Sequence, residues 1–260
     1  MKIYTCTTCR RRIATFFKRA SGEKLCPQCF IKGFIKSIQR TISRHELLGP
    51  WDNILIFIDP YIPYISIGLA LAMGIVESKF NTKIYALIPK AFSDEELESI
   101  VKIIEEISKH KEINVITSNE EYECIEGNMI KTFLKNLNYI QRALNKTQLS
   151  KLKASLPYTI ELLTYLHLKL WFNGLHNLIK YVLPKFKLND SLEMIYPFYG
   201  TFLDEVVYFN YLNGVYKYQL SPCSKLINVR SDALYKLVQD IALHNIELLY
   251  SNLMIIENLI

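Results

Sequence analysis

The sequence predicts an α/β chain in three parts: a four-cysteine zinc-binding module over residues 1–30, a basic linker helix over 31–49, and a parallel sheet flanked by helices over 50–260. Three observations predict it. Two C-x-x-C pairs, Cys6/Cys9 and Cys26/Cys29, stand sixteen residues apart. The first 49 residues hold eleven Lys and Arg against two acids, a net +9, whereas the other 211 hold 20 basic and 23 acidic side chains, a net −3. Beyond residue 50, short isoleucine-rich runs alternate with helical patterns. Runs of that kind are strands buried on both faces, and their alternation with helices implies parallel pairing through right-handed crossovers.

Half of the 260 residues are apolar, enough for a sizeable core. The most apolar long stretch, residues 62–76, is too short to span a membrane and contains Pro63. The cysteine- and arginine-rich start does not read as a signal peptide, so a soluble, cytoplasmic protein without membrane partners is expected.

In CTTCRRRIATFFKRASGEKLCPQCF each C-x-x-C offers two thiolates from one tight turn, and two such knuckles wrap one tetrahedral zinc. Disulfides are the alternative in an oxidising compartment. Four cysteine ligands leave no position open for water, so the expected metal is structural and replaces a core that some thirty residues cannot build. It would hold Arg10, Arg11, Arg12, Lys18 and Arg19 on a rigid surface. Next, Phe30, Phe34, Ile35, Ile38 and Ile42 fall at helical spacing, and Lys32, Lys36, Arg40 and Arg44 follow every fourth residue on another face. These nine basic residues are the candidate RNA-binding surface, since a cationic block favours a polyanion; a merely solvated basic face is the alternative. His45 reads as a surface or helix-end residue.

The sheet domain opens with a buried strand at 54–58, followed from 65 by a helix of small and apolar residues. A second strand is expected at 83–88. Ser93 then caps a helix running to about 109, with acids in its first turn. A third strand covers 113–117. Residues 128–183 read as largely helical, with Pro157 and Pro184 as breaks; a further strand is expected near 192–196 and a last helix over 245–260. An α/β fold places its ligand loop after the first strand, where backbone amides cradle phosphate. Here that loop is Asp59, Pro60, Tyr61, Ile62, Pro63 and Tyr64: two prolines remove two donors and no glycine lets a ligand approach the backbone.

Other candidates have bland counterparts. Asp59 is a possible catalytic acid, or a cap for the next helix. Cys124 and Cys223 read as reactive thiols or, with nothing pairing them in the sequence, as buried structural ones. His167 and His176 stand nine apart, which is not ligand spacing on one helix, so core or surface roles are favoured. Tyr61, Tyr64, Tyr158, Tyr165, Trp171 and Phe172 would suit stacking on unpaired bases, but core packing is the commoner fate, above all for Trp171 and Phe172.

A four-cysteine knuckle, a basic helix and an α/β domain with a loop after its first strand resemble the tRNA 2-thiolation proteins of the PP-loop ATPase superfamily, both archaeal and thermophile synthetases and eukaryotic cytosolic wobble-uridine thiolation proteins. LCPQCFIKGFIKSIQRTI resembles the family's L-C-x-x-C-F and following helix. IYPFYGTFLDEVVYFNYLNGV is similar to its proline, acidic pair and tyrosine segment at Pro197, Asp204, Glu205 and Tyr208, and SPCSKLINVR to its cysteine and arginine, here Cys223 and Arg230. The resemblance implies a Rossmann-like domain, tRNA as a partner, ATP and an iron–sulfur cluster. The chain departs from it where the chemistry lies. Residues 59–64 replace S-G-G-K-D-S, so the loop is expected to be degenerate and without ATP as cofactor. The paired cluster cysteines fall near Leu134 and Leu137, leaving only Cys223. Leu156, Pro157, Tyr158, Thr159, Ile160 and Glu161 replace G-H-N-x-x-D. The expected function is therefore that of a non-catalytic tRNA-binding subunit, a pseudoenzyme with structural zinc and no iron–sulfur cluster. It would act beside a catalytic paralogue, as a hetero-oligomer, or as a homodimer. An active tRNA-modifying or adenylating enzyme with a diverged loop is one alternative. A zinc-ribbon scaffold in transcription or translation is another.

Overall fold

The structure, a computed structural model, describes residues 3–107, 110–125, 128–145, 152–220, 223 and 232–259. Arg230 lies outside them. A small hairpin comes first, β1 (Phe16–Lys18) and β2 (Glu23–Leu25), paired antiparallel with Phe16 opposite Leu25. Helix α1 (Pro27–Arg44) follows, with Pro27 in its first turn, where a missing N–H costs nothing. It turns Phe30, Phe34, Ile35 and Ile38 inward and leaves Lys32, Lys36, Arg40 and Arg44 exposed, and His45 ends it.

The domain then runs β3 (Asn53–Phe57), α2 (Pro63–Val76), β4 (Ile84–Lys90), α3 (Asp94–Ile107), β5 (Ile113–Glu121), α4 (Met129–Asn145), β6 (Leu152–Ser155), α5 (Ile160–Phe172), β7 (Lys185–Lys187), β8 (Glu193–Ile195), α6 (Leu203–Leu212), α7 (Ala233–His244) and α8 (Ile246–Leu259). Six strands form one sheet in the order β5-β4-β3-β6-β8-β7. All pairs are parallel except β7 with β8 at the edge. β3 is central, with Ile54 beside Ile84 and Leu55 beside Ala154. Its alternation sends Ile54, Ile56 and Ile58 into a core shared with α1, α2, α3 and α6, and Leu55 and Phe57 into one shared with α4, α5, α7 and α8. Both faces are covered, as the apolar runs require. Among the described residues no helix is long and apolar enough to cross a membrane.

One segment departs from the expected helical tract over 128–183. Residues 152–155 form strand β6 beside β3. Lys153 hides this strand in the sequence, because a charge interrupts the apolar run. In the sheet its ammonium pairs with Asp52 at 3.0 Å and Glu193 at 2.9 Å and donates to the Leu47 carbonyl.

Candidate functional site

The four cysteines of the module converge, with their sulfurs all within 4.8 Å of one another. The first knuckle is a tight turn: Arg10 N–H donates to the Cys6 carbonyl at 2.9 Å, Cys6 N–H to the Arg12 carbonyl at 2.8 Å, and Arg10 takes a left-handed φ of 54°. In the second, Cys26 stands at the N-cap of α1 and Cys29 in its first turn. Cys6 and Cys26 are buried. Backbone N–H groups, that of Cys9 first, hold the Cys6 thiol down to about 6, while burial pushes Cys29 up to about 12. One thiol of the set is thus drawn toward its charged form and another held away from it. A divalent cation that displaces the protons would satisfy all four sulfurs, so these residues can hold a metal.

The module is docked rather than dangling. Phe16 stacks on Tyr208 of α6 with ring centres 4.8 Å apart, Phe30 meets Tyr208 edge-on, and Thr15 and Tyr208 share a 2.5 Å hydroxyl hydrogen bond. Lys18 pairs with Glu205 at 2.8 Å and Arg19 with Asp204 at 3.4 Å. The acidic pair and the tyrosine of the sequence motif thus receive the module. Arg10, Arg11 and Arg12 remain on its exposed edge, Arg12 within reach of Gln28.

The second location is the crevice at the carboxyl end of β3, where neighbouring connections leave on opposite sheet faces and an α/β fold binds its ligand. Here it is filled. Asp59, 2% exposed, accepts from Tyr61 N–H at 2.9 Å through one oxygen; the other accepts from Asn136 at 2.8 Å and Tyr158 at 3.4 Å. Asn136 in turn accepts from the Tyr122 hydroxyl. Tyr61 is buried, donating to the Ile125 carbonyl and accepting from Ile125 N–H. Two further amides of this stretch are bonded locally, Asp59 N–H to Ser66 Oγ of α2 at 3.0 Å and Ile62 N–H to the Asp59 carbonyl at 3.1 Å. Burial pushes the Asp59 carboxyl up to about 7, and no ion pair among the described residues reaches it.

Several expectations are corrected. Asp59 does not cap α2, whose N-cap is Ile62; it closes a turn onto Tyr61 instead. Tyr61 and Tyr158 are buried and present no face to a base, and Tyr64 is tied to 218–220 through its hydroxyl. Trp171 and Phe172, expected in the core, are 47% and 71% exposed at the end of α5. Cys124 and Cys223 are neither reactive thiols nor unpaired structural ones; they form a disulfide across 99 residues. Cys223 N–H also donates to the Pro60 carbonyl, so the bridge ties two segments over the filled loop. Leu134 and Leu137 pack in the core. His167 is buried and meets Asn252 at 2.9 Å; His176 is exposed. Sequence reasoning missed Tyr122 and Asn136, which have no motif and meet Asp59 only through the fold.

No family model matches the sequence, and no curated protein does. Among solved structures, the chain is similar to the U34-tRNA thiolase NcsA from Methanococcus maripaludis with its 4Fe–4S cluster. The likeness covers 100% of this chain and 88% of that one at a TM-score of 0.76 and 15% sequence identity. At that identity it establishes the fold, which is that of a tRNA thiolase: a Rossmann-like parallel sheet flanked by helices, as the sequence predicts.

Proposed function

We propose that the chain is a non-catalytic tRNA-binding subunit of a tRNA thiolation complex, acting in the cytoplasm beside a catalytic PP-loop paralogue that carries out uridine 2-thiolation. One observation carries this reading. The crevice in which this fold would hold a nucleotide is packed with Asp59, Asn136 and three tyrosines, while the basic edge of the module stays open to solvent. The parts that bind and assemble are retained, and those that react are replaced.

The metal assigned to the module is zinc. A zinc–sulfur bond of about 2.3 Å in a tetrahedron sets sulfur–sulfur edges of about 3.8 Å, and Cys9 Sγ stands 3.9 Å from Cys26 Sγ. A four-iron cluster seats its thiolates on separate irons and spreads them around a larger body. At the position where thiolation enzymes keep such a cluster, this chain offers Cys223, bonded to Cys124, and two core leucines. Those residues do not suit the cluster, and a loop with two prolines and three amides already bonded does not suit ATP phosphates. RNA contact is assigned to Arg10, Arg11, Arg12, Lys32, Lys36, Arg40 and Arg44. Lys18 and Arg19 lie at the border, where phosphate competes with Glu205 and Asp204.

A second reading, an active enzyme with a diverged loop, draws on Asp59, whose carboxyl near 7 lies in the range useful for proton transfer. Its burial in a closed network argues against it. The test is incubation of the purified chain with tRNA and Mg-ATP, following release of AMP and pyrophosphate. The expected result is no release above a no-protein control; tRNA-dependent AMP release abolished by Asp59→Asn would establish the enzyme instead.

A further inference from the structure

A groove of about 620 Å³ runs between α1 and α8, and its lining shares no residue with the cysteine knuckles or the filled crevice. Arg40 and Arg44 line one wall. They are four apart on α1, so their side chains share one face, and no ion pair among the described residues engages either. The opposite wall is apolar: Leu253, Met254 and Tyr250 of α8, with Met254 53% and Tyr250 39% exposed. Glu257 is the one acid among the lining residues. Tyr199 lies against His45 with ring centres 5.3 Å apart. Burial pushes the His45 imidazole below its ordinary value, and the cationic wall is that of the two arginines.

The combination is specific in its chemistry. Two unpaired guanidiniums recognise a phosphate. An apolar wall with an aromatic ring takes the flat face of a base, and Glu257, whose carboxylate also meets the Tyr199 hydroxyl, has a second oxygen able to accept from a ribose hydroxyl. The volume lies within the ~300–1,000 Å³ of small-molecule sites. We infer that this groove seats one nucleotide unit, its phosphate against Arg40 and Arg44 and its base against Met254 and Tyr250. The unit belongs to an RNA strand or to a free nucleotide, and the inference rests on the tRNA-binding reading for the first source. It also gives any ATP bound by this chain a location other than the crevice beside Asp59.

The test uses the full chain, titrated with labelled tRNA and separately with ATP, in four forms: the parent, Arg40→Ala/Arg44→Ala, Met254→Ser, and Arg10→Ala/Arg11→Ala/Arg12→Ala. All the substituted side chains are exposed, so folding is preserved. An RNA nucleotide in the groove weakens tRNA binding at least tenfold in the Arg40/Arg44 variant and about threefold in Met254→Ser. A free nucleotide shows as ATP binding that both groove variants lose. If Met254→Ser changes neither ligand while the Arg40/Arg44 variant does, the groove is a phosphate contact only and the inference fails. If both groove variants bind like the parent while the Arg10/Arg11/Arg12 variant is weakened, the groove is overturned and the tRNA reading stands. A parent that binds neither ligand overturns both.

Discussion

Asp59 shows how one buried carboxylate organises the loop around it. It follows β3 at the position where a phosphate loop would begin, and its carboxylate faces inward, accepting from Tyr61, Asn136 and Tyr158. Burial raises its carboxyl from 3.8 to about 7. Between those values the folded state binds the proton that the unfolded chain has lost, so stability falls as pH rises through that window and levels off above it. Two units of that window correspond to roughly 2–3 kcal/mol. Glu161, buried and also raised to about 7, pulls in the same direction. Urea unfolding between pH 5 and 7.5 is expected to show Asp59→Asn gaining on the parent as pH rises; parallel profiles would contradict the buried carboxylate. The residue types were legible in sequence, since two prolines and the lack of glycine announced a loop with few amide donors to offer. The network was not, because Tyr122 and Asn136 arrive from β5–α4 with no local signal.

At the scale of elements, the four-cysteine module is the part whose order would depend on a bound metal. Its hairpin strands are three residues each, and the Cys26 sulfur sits where α1 begins. Protein produced with ample zinc is expected to hold about one equivalent per chain. Cys26→Ser should lose it and expose residues 1–30 to protease while the sheet domain stays folded, because structural zinc supplies folding free energy outright. Less than a tenth of an equivalent in the parent would contradict the assignment. Packing sets a second limit. A Cβ on Gly68 of α2 would stand 2.5 Å from Asn210 Oδ1, and Asn210 is held by its bond to the Tyr64 carbonyl. Gly68→Ala is therefore expected to cost about 1–3 kcal/mol despite its better helix propensity, read from the denaturant midpoint. A midpoint that rises would show that α2 and α6 are free to separate. Elements with both faces buried, such as β3 and β4, declared themselves by unbroken apolar runs. Edge strand β7 and charge-interrupted β6 did not, since short edges carry lysines by design against aggregation and Lys153 is paired only in three dimensions.

For the whole molecule, the disulfide and the charge asymmetry decide most. Cys124 and Cys223 stand 99 residues apart in the sequence, and in the chain-entropy view a bridge closing such a loop stabilises by about 4.7 kcal/mol. Cys124→Ser with Cys223→Ser should therefore lower the unfolding free energy by several kcal/mol without altering metal content. Equal stability of the double variant would mean the bridge is not formed in solution. No sequence signal names that pair. The positive field, by contrast, was readable at once, because eleven of the 31 basic residues stand in the first 49 positions. The central claim is that this basic end, displayed by the zinc module, binds tRNA while the crevice does no chemistry. It is tested most directly by titrating tRNA with the parent and with Arg10→Ala/Arg11→Ala/Arg12→Ala between 50 and 200 mM salt. With about four phosphates neutralised, parent affinity should fall on the order of a hundredfold across that range, and the variant should bind more weakly with a slope flatter by about two to three. A variant that binds tRNA as tightly as the parent, with the same salt slope, would contradict the account.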